Sequence, residues 1–291
     1  ALNNPIICAS GTFGYGDELK GLVDYQHIGA ITTKTITLQP REGNPPPRIF
    51  ETEFGVLNSV GLENPGINNF IKYRLPLIRK VPAKKIISIG GFSSAEYKKC
   101  LEILDEQKGI DAFEINLSCP NLRLKKLISQ DPKATHDLSK ELRKLTNRPL
   151  FIKITPEVND IAEIARAVED AGCDGVSLVN TYFSLAIDIE AKRPVLGNIC
   201  GGYSGPAIKP MSLYRVYKAR KAVKIPIIAG GGICKASDAV EFILAGATAI
   251  SLGTANLTDP NRCKDIILGI KEYMRKKKVS DINKLTGGLI E

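Results

Sequence analysis

Cys119 stands in the run Asn116-Leu117-Ser118-Cys119-Pro120-Asn121, and that setting is what makes it a candidate for chemistry. A cysteine alone is ordinarily a small buried hydrophobe, and the chain has seven, at 8, 100, 119, 173, 200, 234 and 263. Here Pro120 stops a strand and starts a loop. The amides of Asn116 and Asn121 flank the thiol and can hold a planar ligand rich in donors and acceptors. The only histidines are His27 and His136, and no His–Asp partner for an acyl-transfer triad is visible. A thiol with an ordinary pKa of about 8.5 can instead accept a proton near neutrality. No Cys-x-x-Cys pair occurs, so no metal site, iron–sulfur centre or disulfide framework is expected.

Two lysines lie within apolar strand-like runs, Lys34 in Ile31-Thr32-Thr33-Lys34-Thr35-Ile36 and Lys153 in Phe151-Ile152-Lys153-Ile154. A buried ammonium is costly unless an anion meets it. The pair therefore points to a negatively charged ligand or reduced cofactor. Glycines collect in Ala229-Gly230-Gly231-Gly232-Ile233 and in Ser251-Leu252-Gly253-Thr254-Ala255, with Gly205 in a further glycine-rich loop. Without a Cβ, glycine lets backbone N–H groups approach a phosphate, so these runs suit a phosphorylated cofactor such as FMN.

These residues need elements to place them. Short β-branched runs at 5–10, 30–37, 85–90, 112–118, 150–155, 175–180, 226–230 and 249–253 predict eight strands. Helix-period segments fall at 94–107, 134–145, 157–171, 211–222, 236–245 and 262–277. Continuous apolar strands alternating with helices predict a parallel sheet covered on both faces. The fold class is α/β, a (β/α)8 barrel in one domain over 1–291, since no Gly-x-Gly-x-x-Gly turn follows the first strand. Segments 38–60 and 181–206 are too long for plain connections, so they predict active-site insertions after strands two and six. Ser10, Lys34, Asn116, Ser118, Cys119, Lys153, Asn180 and Thr254 then gather at the mouth.

Hydrophobic residues make up 43% and charged residues 24% of 291, the balance of a globular protein with a large core. The net charge of +9 comes without a nucleic-acid motif, and its runs, such as Arg275-Lys276-Lys277-Lys278, read as solvated faces. No apolar stretch approaches the roughly 20 residues that span a bilayer, and no signal peptide is read at the start. Scattered cysteines fit a cytoplasmic location.

The sequence resembles the class 1 dihydroorotate dehydrogenases, more specifically the 1B branch. The markers are ASGTFGYG at 9–16, TKTITLQPREGNPPPR at 33–48, LNSVGLENPG at 57–66 and INLSCPN at 115–121. They continue with NTYFSLAIDIEAKRPVLGN at 180–198, GGYSGPAIKP at 201–210, AGGGI at 229–233 and LGT at 252–254. The resemblance implies FMN over the barrel mouth, its phosphate at Gly205, Gly231, Gly232, Gly253 and Thr254. Ser10, Lys34, Thr35, Asn116, Lys153 and Val179 would line the flavin. Orotate would be held by Lys34, Asn58, Ser59, Val60, Gly61, Leu62, Asn116, Asn121, Asn180 and Thr181. Cys119 would take the C5 proton of dihydroorotate, and flavin N5 the hydride from C6, in de novo pyrimidine biosynthesis. The resemblance also implies an iron–sulfur flavoprotein partner carrying FAD and a 2Fe–2S centre, through which NAD is reached. A homodimer of this barrel would form the core of a heterotetramer.

Two features depart from the family pattern. Ser88 stands where the family places a flavin-contacting asparagine. The segment Leu122-Arg123-Leu124-Lys125-Lys126-Leu127-Ile128-Ser129-Gln130 lacks the usual glycines of the lid after the cysteine and is one residue shorter. The alternatives to this reading are a dihydropyrimidine (uracil or thymine) dehydrogenase-like subunit, against which Asn121 argues, a flavin-binding scaffold with impaired catalysis, and a barrel acting on phosphorylated sugars.

Overall fold

The computed structural model describes residues 1–118 and 127–291. Among these, eight strands close into a parallel barrel: β1 Ile6–Cys8, β2 Ala30–Thr32, β3 Lys84–Ile89, β4 Ala112–Asn116, β5 Leu150–Lys153, β6 Gly175–Leu178, β7 Ile227–Gly230 and β8 Ala249–Leu252. Each strand pairs with its neighbours in chain order, and β1 closes on β8 through Ile6↔Ile250 to Cys8↔Leu252. All eight expected strands form. The second is shorter than 30–37, because the Lys34 N–H turns away to the Gly14 carbonyl and pairing resumes only at Ile36↔Ile89.

Side chains alternate between the two faces of a strand, and the barrel uses both. Ile31, Ile87, Phe113, Ile115, Ile152, Val176 and Ile250 belong to the large outer core. Inside, Ile7, Ala30, Ile86, Ala112, Ile228 and Ala249 form a separate cluster against Phe151. In β3, β4, β5, β6 and β8 the next inward position carries Ser88, Glu114, Lys153, Ser177 and Ser251. The interior thus changes from apolar to polar in one layer, toward the C-terminal strand ends where barrels build their sites.

The expected helices are Ser94–Asp105, Pro132–Arg143, Ile161–Asp170, Lys209–Arg220, Ala236–Ala245 and Arg262–Lys276. Local chemistry sets their starts: Ser93 accepts from the Glu96 N–H, Asp131 from Ala134, and Asp160 from Ala162. The Asp160 cap explains why the third begins at Ile161 and not at 157. The expectation of a helix after every strand fails at β1, which is followed only by the 3-10 turn Tyr25–His27. After β2 a helical segment absent from the sequence reading runs through Gly66–Asn69, Phe70–Arg74 and Leu75–Ile78. Its middle part is a π-helical turn just before Pro76, whose missing N–H breaks the regular ladder.

Both long insertions contribute to one structure. Ile49–Thr52 and Gly55–Asn58 of the first, with Gly201–Ser204 and Tyr182–Ser184 of the second, make a four-stranded antiparallel sheet at the mouth. Among the described residues no helix is long and apolar enough to cross a membrane.

Phe113 is fully buried between barrel and helices. Phe113→Ala is expected to cost about 3–5 kcal/mol, lowering the urea midpoint at unchanged slope. An unmoved midpoint would contradict the packing described.

Candidate active site

A cavity of about 530 Å³ opens at the C-terminal end of the barrel, lined from every strand end except that of β3 and from both insertions. Its wall holds Ser10, Lys34, Thr35, Asn58, Val60, Gly61, Leu62, Asn116, Lys153, Val179, Asn180, Thr181, Gly205, Gly231, Gly232, Gly253 and Thr254. Two expected contacts lie behind the wall. Ser88 is fully buried and meets Thr35 Oγ1 at 2.9 Å, so it supports the wall from β3 without reaching the cavity. Ser59 is also fully buried and accepts from Asn44 Nδ2 at 2.9 Å. Cys119 and Asn121 lie outside the described residues, as does most of the segment read as a lid.

The polar groups of the wall are connected. Asn180 Nδ2 donates to Ser118 Oγ at 3.0 Å, and Ser118 Oγ donates to Asn116 Oδ1 at 3.0 Å. Asn116 Nδ2 then donates to Thr35 Oγ1 at 3.3 Å, and Thr35 meets Ser10 Oγ at 3.2 Å. Because Asn116 accepts through its oxygen, its NH2 is the end turned to Thr35. A satisfied chain of this kind fixes its members' orientations.

The charges are arranged less simply than the two lysines suggested. Lys34 Nζ is 3.3 Å from Glu63 Oε2, and Arg48 is 3.3 Å from the same oxygen. An internal carboxylate therefore already meets Lys34, a partner the sequence reading missed although Glu63 lies within the 57–66 motif. Lys153 forms no ion pair among the described residues, which leaves its charge for a ligand. Glu114 was missed too; it is 5% exposed, lines the cavity, and accepts from Ser177 Oγ at 3.0 Å. A carboxylate two residues before Asn116 in an otherwise apolar strand was the available signal.

The glycine loops form a cradle. Gly231 and Gly232 have φ of +111° and +84°, and a Cβ would fall 2.3 Å from Ser212 Oγ and 2.6 Å from the Lys209 backbone N. A side chain at Gly253 would enter open space. The hydrogen bonds of the described residues leave the N–H groups of Gly232, Gly253 and Thr254 unengaged. These residues line the cavity, and backbone N–H groups without an internal partner at a cavity wall suit an anion such as a phosphate. Asp238 holds the loop beyond, accepting from the N–H groups of Cys234 and Lys235 and from Lys209 Nζ at 2.9 Å. Burial pushes its carboxyl up, but the Lys209 ammonium and the two N–H groups outweigh that and hold it below the usual range.

Cys8, Cys100, Cys173 and Cys263 are buried packing groups. Burial pushes the thiols of Cys100 and Cys173 up to about 12. Cys234, at the cavity wall, is also raised, by burial and then by Asp238.

The family model for dihydroorotate dehydrogenase matches residues 1–274. The chain belongs to the dihydroorotate dehydrogenase family. A relative from Desulforamulus reducens is 47% identical over 285 residues, covering 98% of this chain and 94% of its own. Another from Thermoanaerobacter pseudethanolicus is 46% identical over 289 residues, covering 99% and 95%. Both carry the name dihydroorotate dehydrogenase B (NAD(+)), catalytic subunit. Among solved structures, the dihydroorotate dehydrogenase of Eimeria tenella in complex with ferulenol superposes with a TM-score of 0.83 at 22% identity, covering 98% of this chain and 85% of that one. That likeness concerns the fold. The barrel, its mouth and the family membership agree.

In this family member the Asp238 tie should be visible in acid. A carboxyl depressed on folding adds stability above its unfolded pKa of about 3.9, and that stability is lost as pH falls through the lower folded value. Asp238→Asn should lower the unfolding midpoint at neutral pH, and its gap from the unaltered protein should close below about pH 3.9. A gap that persists unchanged in acid would contradict the tie.

Proposed function

We propose that the chain oxidises (S)-dihydroorotate to orotate in de novo pyrimidine biosynthesis, with FMN bound at the barrel mouth. The observation that carries this reading is the meeting, in one cavity, of unengaged loop N–H groups, a Lys153 with no ion pair among the described residues, and a connected row of amides and hydroxyls. The unengaged N–H groups of Gly232, Gly253 and Thr254, beside Gly231 and Gly205, would hold the phosphate. Ser10, Lys34, Thr35, Asn116, Lys153 and Val179 would line the ring, with Ser88 supporting them through Thr35. When bound, FMN supplies the two-electron acceptor at N5 for the hydride from C6 of the substrate.

The chain's own residues do the rest. Lys34 and Arg48, bridged by Glu63, offer positive charge to the substrate carboxylate. Asn58, Asn116 and Asn180, with Thr181 and the wall at 60–62, match the donor and acceptor edges of a dihydropyrimidine. Cys119 accepts the proton from C5, so the substrate loses one proton and one hydride and gains a ring double bond. The cavity volume lies within the range of about 300–1,000 Å³ usual for such ligands.

The relatives named as catalytic subunits support a second subunit here. We infer an iron–sulfur flavoprotein carrying FAD and a 2Fe–2S centre that passes electrons to NAD, docked on a homodimer of this barrel in the cytoplasm.

Cys119→Ala is expected to keep the yellow FMN spectrum and to slow dihydroorotate-driven flavin bleaching at neutral pH by about 10²-fold or more, the usual contribution of a positioned base. Anaerobic stopped-flow absorbance measures it. An unchanged rate would remove Cys119 from proton transfer.

A further inference from the structure

β4 carries a carboxylate at a position where the barrel interior has just turned polar. Glu114 is 5% exposed and lies directly above the apolar cluster that contains Ala112, Ile86 and Ala249. Ser177 Oγ donates to its Oε2 at 3.0 Å, while its Oε1 is buried without a hydrogen-bond partner. Strand register specifies what surrounds it. Lys153 of β5 pairs with Asn116 of β4 on one side and with Ser177 of β6 on the other. Glu114 sits two residues before Asn116 on the same inward face, so its bond to Ser177 crosses β5 at the level of Phe151 and Lys153. Both Glu114 and Lys153 open onto the cavity, and neither has an opposite charge within ion-pair distance among the described residues.

A buried ion costs several kcal/mol unless a nearby charge or a set of donors compensates it. Register places the two groups on adjacent strands, one layer apart on the same inward face, so each can compensate the other through a low-dielectric interior where charge is felt beyond contact distance. We propose that Glu114 is a positioning residue that acts through Lys153: its carboxylate is the fixed counter-charge below the ammonium, and it sets the reduction potential of the bound flavin by offsetting the positive field at the ring. The inference rests on FMN being the ligand of this cavity.

The test compares the FMN-loaded protein with Glu114→Gln and Glu114→Asp, reading the two-electron midpoint potential by equilibration with a reference dye during enzymatic reduction, without dihydroorotate. Glutamine keeps the shape and the bond from Ser177 but removes the charge. It should favour reduced over oxidised FMN about tenfold, which for a two-electron couple is an upward shift of about 30 mV. Aspartate keeps the charge and should stay with the unaltered protein. Equal potentials for glutamine and glutamate, or equal shifts for glutamine and aspartate, would overturn the proposal. Should Glu114→Gln fail to hold FMN, infrared difference spectra of the unaltered holoprotein with ¹³C-labelled glutamate decide the point. An ionised carboxylate band that moves on flavin reduction supports the role, and a protonated carboxyl band overturns it. An unaltered protein that takes up no FMN removes the underlying reading, whereas a loaded protein whose potential ignores Glu114→Gln removes this inference alone.

Discussion

The Thr35 hydroxyl meets the side chains of Ser10, Ser88 and Asn116, and through it four neighbouring strands are joined where the barrel interior stops being apolar. That layer is the most demanding part of the fold. Polar groups buried there cost stability unless each finds a partner, and they must still present free donors to a ligand. The chain meets both demands by running one connected row from Asn180 through Ser118 and Asn116 to Thr35, with Ser88 behind it. Orientation of the amides is thereby set by the protein before any ligand arrives, which is what preorganised recognition requires.

The same constraint explains the division of labour around the mouth. The ends of β1, β2, β4, β5 and β6 bring hydroxyls, amides, the Glu114 carboxylate and ammonium groups to the wall, while the loops after β7 and β8 bring glycine and backbone beside the hydroxyls of Ser251 and Thr254. The antiparallel sheet from the two insertions adds Asn58 and Ser204 to the wall, and Thr254 donates to Ser204 at 2.8 Å, so the glycine end is tied to the inserted sheet. Charge is distributed with similar economy: Lys34 shares Glu63 with Arg48, and Lys153 stands one layer above Glu114 with no ion pair between them.

Much of this was legible in sequence. Short β-branched, continuously apolar runs marked all eight barrel strands, and the polar residues ending them marked the mouth, because a buried parallel strand leaves few other places for a lysine or an amide. The glycine runs were legible for the same steric reason. What escaped was long-range. No local pattern says that residues 49–58 and 182–204 pair in one sheet, or that Glu63 returns to Lys34. The helical segment from Gly66 to Ile78 was hidden by Pro76 and the irregular turn before it, and the place of Ser88 behind Thr35 depends on a contact between strands that no local pattern reveals. Glu114 was visible as an acid in an apolar strand, but only register shows that it lies beneath Lys153.

The account centres on a mouth built for FMN and for a dihydropyrimidine that bears a carboxylate. Anaerobic absorbance spectroscopy of the FMN-loaded protein, mixed separately with dihydroorotate and with dihydrouracil, tests both parts together. The expected result is a yellow protein whose flavin is bleached by dihydroorotate and left oxidised by dihydrouracil, which lacks the carboxylate proposed to meet Lys34 and Arg48. A protein that stays colourless with FMN, or one bleached by dihydrouracil and not by dihydroorotate, would contradict it.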